Sequence, residues 1–298
     1  MENFILIVLA LGIGYGLNRL RIFPEGSANI LNQFVIFISL PAMILLQIPK
    51  LALSMDILIP VIIAWVVMTV TAILTLFISK RLHFSKEVTG ALMLVAVLTN
   101  SSFLGIPIIN AYLGDEALPF ILVYDQMGTF LALATYGIFV AAYYSNKSEI
   151  NVRIMAVKIL TFPPFVSLII ALFFIGTPFP DVISKVLLML GNTIVPIALV
   201  AVGLQLQLKL PGHEIQPFAI ALFIKLMIAP LIALAIVVMA GWTNLAASVS
   251  VMEAGMAPMI TAGAMASLSG LAPRLSSAIV GYGILLSFFS TALIFKLL

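Results

Sequence analysis

The sequence predicts an all-α integral membrane protein of ten transmembrane helices, arranged as two inverted repeats of five helices. Its composition, ten long apolar stretches and a recurring proline pattern together predict this fold. Charged residues make up 8% of the 298 residues and hydrophobic residues 63%, whereas soluble domains carry about 25% charged residues. The mean hydropathy is +1.26. Such a chain cannot cover a surface that faces water, so we expect it to lie in a lipid bilayer.

Several classes of site are excluded or made improbable by residue usage. The chain has no cysteine, which excludes disulfides and thiol-based metal or redox sites. Its two histidines, His83 and His213, fall in polar connections and offer little material for a metalloenzyme. The N-terminus carries Glu2 and no basic residue before its apolar run, and no small-residue cleavage site follows. Signal peptides have both features, so we expect a first spanning helix here.

Ten stretches have the length and apolarity of transmembrane helices. A helix that crosses the hydrocarbon layer needs about 20 mostly apolar residues. The connections between the stretches are short and hold most of the charged residues. The predicted spans are 3–18, 28–48, 57–79, 88–113, 117–144, 156–175, 182–204, 217–240, 245–269 and 275–297.

Lysine and arginine are distributed unequally between the two sets of loops. Cytoplasmic loops of membrane proteins are enriched in these residues. The loops after odd-numbered helices hold ten of them, Arg19, Arg21, Lys80, Arg81, Lys86, Lys147, Arg153, Lys158, Lys209 and Arg274, and the other face holds three, Lys50, Lys185 and Lys296. We therefore expect a multi-pass protein of the cell inner membrane with both termini on the non-cytoplasmic side. The net charge of +3 then reflects this topology and indicates no nucleic-acid partner.

A pattern of prolines recurs at half the chain length. Pro41 and Pro107 are 66 residues apart, and Pro196 and Pro258 are 62 apart, so the halves are offset by 155 or 151 residues. We interpret residues 1–146 and 147–298 as repeats and these prolines as helix breaks or hinges. Five helices is an odd number, so the second repeat enters the membrane upside down, a common plan of secondary transporters. Chance agreement is the alternative, and the loop charges argue against it.

Predicted helices 4 and 9 each contain a run that weakens a helix. Polar residues, a glycine and a proline occupy 99–107, and a similar run occupies 253–258. Freed backbone groups are costly in hydrocarbon unless they line a cavity or bind a ligand. Half-helices beginning near Pro107 and Pro258 would direct their positive dipole ends to the bilayer centre. We expect the two breaks to meet there around an anionic group; two simple kinks are the alternative.

Three charged residues lie well inside predicted spans: Asp125, Lys225 and Glu253. Each costs about 2.5–3.5 kcal/mol at a helix centre, which suggests pairing or a polar cavity. Glu253 could bind Na⁺ with Asn100 and Ser101 or carry a proton. Lys225 could neutralise a substrate carboxylate, pair with an acid, or extend its ammonium to the cytoplasmic interface. Asp125 could serve coupling or gating, or form a structural ion pair.

Four segments together resemble the auxin efflux carrier family. They are ISLPAMIL (38–45), LTNSSFLGIPIINAYLG (98–114), FIKLMIAPL (223–231) and VMEAGMAPMITAGAMA (251–266). The resemblance covers the whole chain, except that the long cytoplasmic loop of the long plant carriers is absent. It implies a fold like that of the sodium/bile-acid symporters, with broken helices 4 and 9 crossing at the bilayer centre. Helices 1, 2, 6 and 7 would form a scaffold, and helices 3–5 and 8–10 a domain that carries substrate in an elevator motion.

By this resemblance the function is secondary transport of a small organic anion, such as malate or malonate, coupled to Na⁺ or H⁺. No other cofactor is expected, and the scaffold helices could form a homodimer. The candidate substrate-binding residues are Asn100, Ser101, Ser102, Gly105, Pro107, Lys225, Met256, Pro258 and Thr261. The candidate ion-coupling residues are Asn100, Ser101, Glu253 and Asp125, and the first three are the candidate Na⁺ ligands.

Three alternatives remain. The first is a Na⁺-coupled symporter of bulkier amphipathic acids. The second is an intramembrane enzyme, which would need a catalytic constellation that the spans lack. The third is a channel, which would show a continuous polar stripe or charged rings.

Overall fold

A computed structural model describes residues 2–24, 26–50, 55–145, 157, 160–177, 179–206 and 214–298. His213 and the basic residues at 147, 153, 158 and 209 lie outside these ranges. The described residues are helical, with short connections and no strand beyond one isolated bridge. The helices are α1 (Glu2–Arg19), α2 (Ser27–Lys50), α3 (Met55–Arg81), α4 (Lys86–Val95), α5 (Ser101–Leu113), α6 (Asp115–Tyr144), α7 (Pro163–Leu172), α8 (Asp181–Gln205), α9 (Ile215–Ala240), α10 (Leu245–Ala254), α11 (Ile260–Leu268) and α12 (Pro273–Phe295).

Six of these helices, α2, α3, α6, α8, α9 and α12, are long and apolar enough to cross a membrane. In the described part of the chain, α1, α5, α7 and α10 are shorter apolar helices. Large apolar side chains point outward on several helices; Phe77 is 65% exposed, Met189 73% and Phe289 76%. Lipid tails are the medium that such a surface requires. The chain is thus a multi-pass membrane protein, while the ten-helix inverted repeat stays a prediction.

The predicted spans 88–113 and 245–269 each appear as two helices with a non-helical linker. The first linker is 96–100, between α4 and α5, and the second is 255–259, between α10 and α11. Pro258 lies inside its linker, but α5 already begins at Ser101, six residues before Pro107. The helical conformation therefore starts earlier than predicted, with the π-helical turn at Ser101, whereas the regular α-helix begins at Ile106, beside Pro107, as expected.

Wide π-helical turns explain how several prolines lie within continuous helices. Such turns cover Val35–Ser39, Ser101–Gly105 and Ile224–Ile228, and each ends two residues before a proline. A proline cannot donate to the carbonyl four residues back, and its ring clashes with that carbonyl. A wider turn before the ring relieves both problems without breaking the helix. Pro41 accordingly lies within α2, and Pro196 lies in α8 shortly after a turn at 192–193.

Helices α1 and α8 approach each other closely enough that their backbones touch. A Cβ added to Gly14 would lie 2.3 Å from the carbonyl oxygen of Val200, and one added to Gly203 would lie 2.4 Å from that of Leu11. Only glycine permits this approach. Helix α2 packs against α7 and α8, whereas α3 packs against α9 and α10, and α4 against α6, α11 and α12. Among the described residues, one buried apolar cluster draws its core from α3, α9, α12, Leu271 and the segments 91–98, 132–141 and 262–266.

Candidate functional site

The two non-helical linkers cross and bind each other through their backbones. The N–H of Asn100 donates to the carbonyl of Ala257 at 2.9 Å, and the N–H of Met259 donates to the carbonyl of Leu98 at 3.0 Å. Thr99 and Pro258 face each other as an antiparallel bridge. Backbone groups freed by the two breaks are thus partly satisfied by one another, as buried polar groups must be. We call this contact the crossing.

Asp125 of α6 lies beside the crossing and is fully supplied with hydrogen bonds. The hydroxyl of Ser101 donates to its Oδ1, as does that of Ser102 at 2.5 Å, and Gln126 Nε2 donates to Oδ2 at 2.6 Å. Asp125 is 2% exposed. Hydrogen bonds to a carboxylate are roughly twice as strong as neutral ones. The carboxylate therefore ties the first turn of α5 to the middle of α6.

A cavity of about 110 Å³ opens against this cluster. Its polar walls are Asn100, Ser101, Ser102, Asp125, Gln126 and Thr261, and its apolar walls are Ile36, Leu40, Phe103, Phe130, Leu133, Phe162 and Met259. Phe130 of α6 stacks on Phe162, just before α7, with ring centroids 3.9 Å apart. The cavity thus brings together α2, the start of α5, α6, the start of α11 and the residue before α7. It combines apolar walls with a few polar groups, the usual character of a small-molecule site.

Glu253, near the end of α10, is wholly buried. Neither carboxylate oxygen has a hydrogen-bond partner among the described residues. Gly105 of α5 lies directly against it: a Cβ added to Gly105 would be 2.7 Å from Oε1 and 2.8 Å from Oε2. A buried carboxylate without a partner is costly when ionised. Its oxygens are therefore suited to a proton or a small cation.

Lys225 of α9 is 1% exposed, so its ammonium does not extend to the membrane interface. Its Nζ donates to the hydroxyl of Thr99 at 2.5 Å and to the carbonyl of Ala254 at 2.9 Å. It forms no ion pair with an acidic side chain in the described ranges, although Glu253 lies within its electrostatic range. Lys225 thus contacts both helix breaks: Thr99, in the first linker, and Ala254, the last residue of α10 before the second linker.

The remaining candidate residues divide between the cavity and the surrounding core. Four of the nine substrate-binding candidates line the cavity: Asn100, Ser101, Ser102 and Thr261. The hydroxyl of Thr261 and the side-chain N–H₂ of Asn100 are buried without a described partner. The other five lie outside its walls, namely Gly105, Pro107, Lys225, Met256 and Pro258.

Some residues of the site were missed at the sequence level. Thr99 accepts the bond from Lys225, and its hydroxyl beside the break was the available signal. Phe130 and Phe162 gave none, since stacked aromatic residues far apart in sequence look like any lipid-facing pair. Tyr124, which precedes Asp125, is not part of this cavity and lines a separate space of about 20 Å³.

The residues present can be tested against a coupling cation. Within the described ranges there is no group of three or more His, Cys, Asp or Glu side chains that would suit a metal ion. Glu253 offers two unpartnered oxygens, and hard cations prefer oxygen ligands. The hydroxyl proton of Ser101 is directed to Asp125, which leaves only its lone pairs for a cation. These oxygen ligands are therefore of the kind that could bind one monovalent cation at Glu253, and Glu253 could alternatively bind one proton.

Comparison with known proteins agrees with this architecture. A family model described as "Membrane transport protein" matches residues 1–295. An uncharacterized transporter of Methanothermobacter thermautotrophicus is 26% identical over 295 residues, which cover 98% of this chain and 96% of the relative. An uncharacterized transporter of Methanocaldococcus jannaschii is 30% identical over 219 residues, 70% of each chain. These matches imply transport rather than catalysis, and the chain belongs to the membrane transport protein family, that of the auxin efflux carriers.

Proposed function

We propose that this protein is a secondary active transporter of a small organic anion, a carboxylate such as malate or malonate. The observation that carries the proposal is the small cavity, with apolar walls and a few polar groups, at the crossing of the two broken helices. Its walls include Asn100, Ser101 and Ser102 at the start of α5, where backbone N–H groups and the helix dipole favour negative charge. A volume of about 110 Å³ is well below the 300–1,000 Å³ of sites for drug-sized ligands, which favours a small substrate.

Transport of an anion through this cavity requires a positive charge to enter with it. Asp125 lines the cavity, and like charges in a buried site repel. A proton or Na⁺ at Glu253, with Asn100 and Ser101 as the candidate partners, would supply that charge. The cation would neutralise the carboxylate, while Asp125 holds the start of α5 in place.

The proposal includes ten spans in two inverted halves and an elevator motion of one body against the other. The scaffold would comprise α1, α2, α7 and α8, and the remaining helices would carry substrate. Close glycine packing of α1 on α8 supports a rigid scaffold, as does the hydrogen bond of 2.6 Å between Ser39 of α2 and Thr193 of α8. The cavity has walls from both bodies, so a movement of one body against the other would change the access to it.

The expected location is the cell inner membrane, with both termini on the non-cytoplasmic side, and the scaffold helices are the surface for a homodimer. This topology follows from the lysine and arginine distribution. Lipid and a carboxylate are the proposed partners, and nucleic acid is not.

Thermal stabilisation of the detergent-purified protein tests this function. A ligand that binds only the folded state raises the apparent melting temperature by mass action. The panel contains mono- and dicarboxylates of increasing length, each with and without Na⁺ and at two pH values. We expect a short carboxylate to raise the melting temperature of the wild type but not that of Ser102→Ala, which lacks one hydroxyl of the cavity wall. Ser250→Ala is the control, since its hydroxyl bonds only to Ala246 of its own helix. No shift with any acid in a folded sample would contradict the proposal.

One observation favours the second candidate, a Na⁺-coupled symporter of bulkier amphipathic acids. A wider apolar crevice of about 370 Å³ adjoins the cavity and shares Phe130, Leu133 and Phe162 with it. If the stacked rings separate, the two spaces join and an apolar tail gains room. Stabilisation that grows with chain length and requires Na⁺ would favour this candidate.

A further inference from the structure

Lys225 has an environment that neither a substrate ligand nor an ion pair explains. A buried ammonium is expensive in a membrane helix, and such groups normally pair with an acid or line a cavity. Lys225 is 1% exposed, lies outside the walls of the cavity and forms no ion pair within the described residues. Its charge must therefore be stabilised by the two oxygens that it contacts.

Those two oxygens come from the two breaks. Ala254 is the last residue of α10, and its carbonyl accepts a hydrogen bond from Lys225 Nζ at 2.9 Å. The last carbonyls of a helix carry the negative end of its dipole and lack partners within the helix. The hydroxyl of Thr99 belongs to the first linker and lies in the bridge to Pro258. One ammonium thus joins the end of α10 to the linker that crosses it.

A backbone carbonyl at a half-helix C-terminus is also where broken-helix transporters coordinate Na⁺. A hydroxyl oxygen is a second ligand type that a hard cation accepts. The lysine ammonium is a compact point charge with three donors, so it can occupy such a position.

The backbone of α9 is held in the position that this contact needs. Lys225 lies in the wide turn Ile224–Ile228 that precedes Pro230. Pro230 packs on Gly255 of the second linker: a Cβ added to Gly255 would lie 3.2 Å from the Cβ of Pro230. The stem of Lys225 therefore starts from a segment already fixed against the break.

We propose that Lys225 is the resident cation of the crossing, whose ammonium holds the two breaks together in the place of a bound metal ion. It is a positioning residue, and the crossing is complete without added Na⁺. The proposal refines the coupling part of the proposed function but depends only on the crossing. Its test is therefore made without substrate, and its failure would leave the carboxylate panel unaffected.

The experiment measures the apparent melting temperature in NaCl, methylammonium chloride and choline chloride at equal ionic strength. The variants are made in a Glu253→Gln parent, so that Na⁺ at the proposed coupling site does not contribute, and we expect this parent with Lys225 intact to melt at the same temperature in all three salts. Lys225→Ala removes the charge and opens space, so it should melt lower in choline and recover, saturably, in Na⁺ or methylammonium. Lys225→Arg should keep most of the stability, and Lys225→Met, which fills the space without charge, should melt low in every salt. The exposed Lys80→Ala is the control.

Three results would overturn the proposal. The first is specific stabilisation by Na⁺ of the Glu253→Gln parent with Lys225 intact, because the crossing would then need a metal ion other than the one proposed at Glu253. The second is Lys225→Met as stable as this parent, because the lysine would then only fill space. The third is an equally low melting temperature of Lys225→Ala in all three salts, because no added cation would then replace the ammonium. If Lys225→Ala does not fold, the comparison of Lys225→Arg with Lys225→Met decides, since only a role for charge separates them.

Discussion

Asp125 and Glu253 are both buried acids beside the crossing, and they differ in what surrounds their oxygens. Asp125 receives three side-chain hydrogen bonds, from Ser101, Ser102 and Gln126. Glu253 receives none from the described residues and instead lies against Gly105. A carboxylate with its donors in place is anchored, whereas one without them gains most from a proton or a cation. In the proposed function, this difference favours a positioning role for Asp125 and exchange of the coupling ion at Glu253, although burial alone would treat the two acids alike.

The largest expected effect is that of Glu253→Gln. The amide keeps the volume but cannot exchange a proton or neutralise a cation, so we expect coupled uptake into proteoliposomes to fall at least ~100-fold, the equivalent of about 2.7 kcal/mol. The apparent melting temperature should not decrease, because no described hydrogen bond is lost. Coupled uptake by Glu253→Gln at the wild-type rate would contradict the proposal that Glu253 exchanges the coupling ion. Loss of folding would indicate instead that Glu253 is a structural charge.

Asp125→Asn should have a smaller effect, and it should lower stability while leaving ion coupling intact. The amide retains the shape, but three charge-assisted hydrogen bonds become neutral, and bonds to charged groups are worth about 1 kcal/mol more than neutral ones. Because a neutral amide is less costly to bury than a carboxylate, part of this loss is offset, and we expect the free energy of unfolding to fall by about 2 kcal/mol, while coupling of the remaining uptake to the ion gradient persists. Denaturation in detergent and uptake with and without the gradient measure the two quantities. Unchanged stability with lost coupling would reverse the roles of the two acids.

Much of this comparison was accessible from the sequence, for physical reasons. The breaks could be found because glycine, proline and polar residues are costly in a membrane helix, and their meeting is observed in the backbone bonds of Asn100 and Met259. Asp125, Lys225 and Glu253 stood out because charge is rare in such helices. The start of α5 at Ser101 could not be found, because a wide turn lets Pro107 lie inside a helix. Nor could the partners of Lys225, since a hydrogen bond across 126 residues depends on packing.

Gly105→Ala should have the smallest effect and tests the packing around Glu253 directly. The new Cβ would lie 2.7 Å from Oε1, so the carboxylate must move, but it is the end of a flexible side chain and can do so. We expect coupled uptake to fall about tenfold, the equivalent of about 1.4 kcal/mol. Gly12→Ala is the control, because nothing lies within 4 Å of its added Cβ.

A double-mutant cycle separates displacement of the carboxylate from a general effect on α5. We expect Gly105→Ala to lower stability in the wild-type background but not in a Glu253→Ala background, where the opposing oxygens are absent, so the two substitutions should be non-additive. Additive losses of stability would mean that Gly105 is needed for the wide turn of α5 and not for Glu253. Contact with Gly105 would then place no constraint on the position of the Glu253 carboxylate.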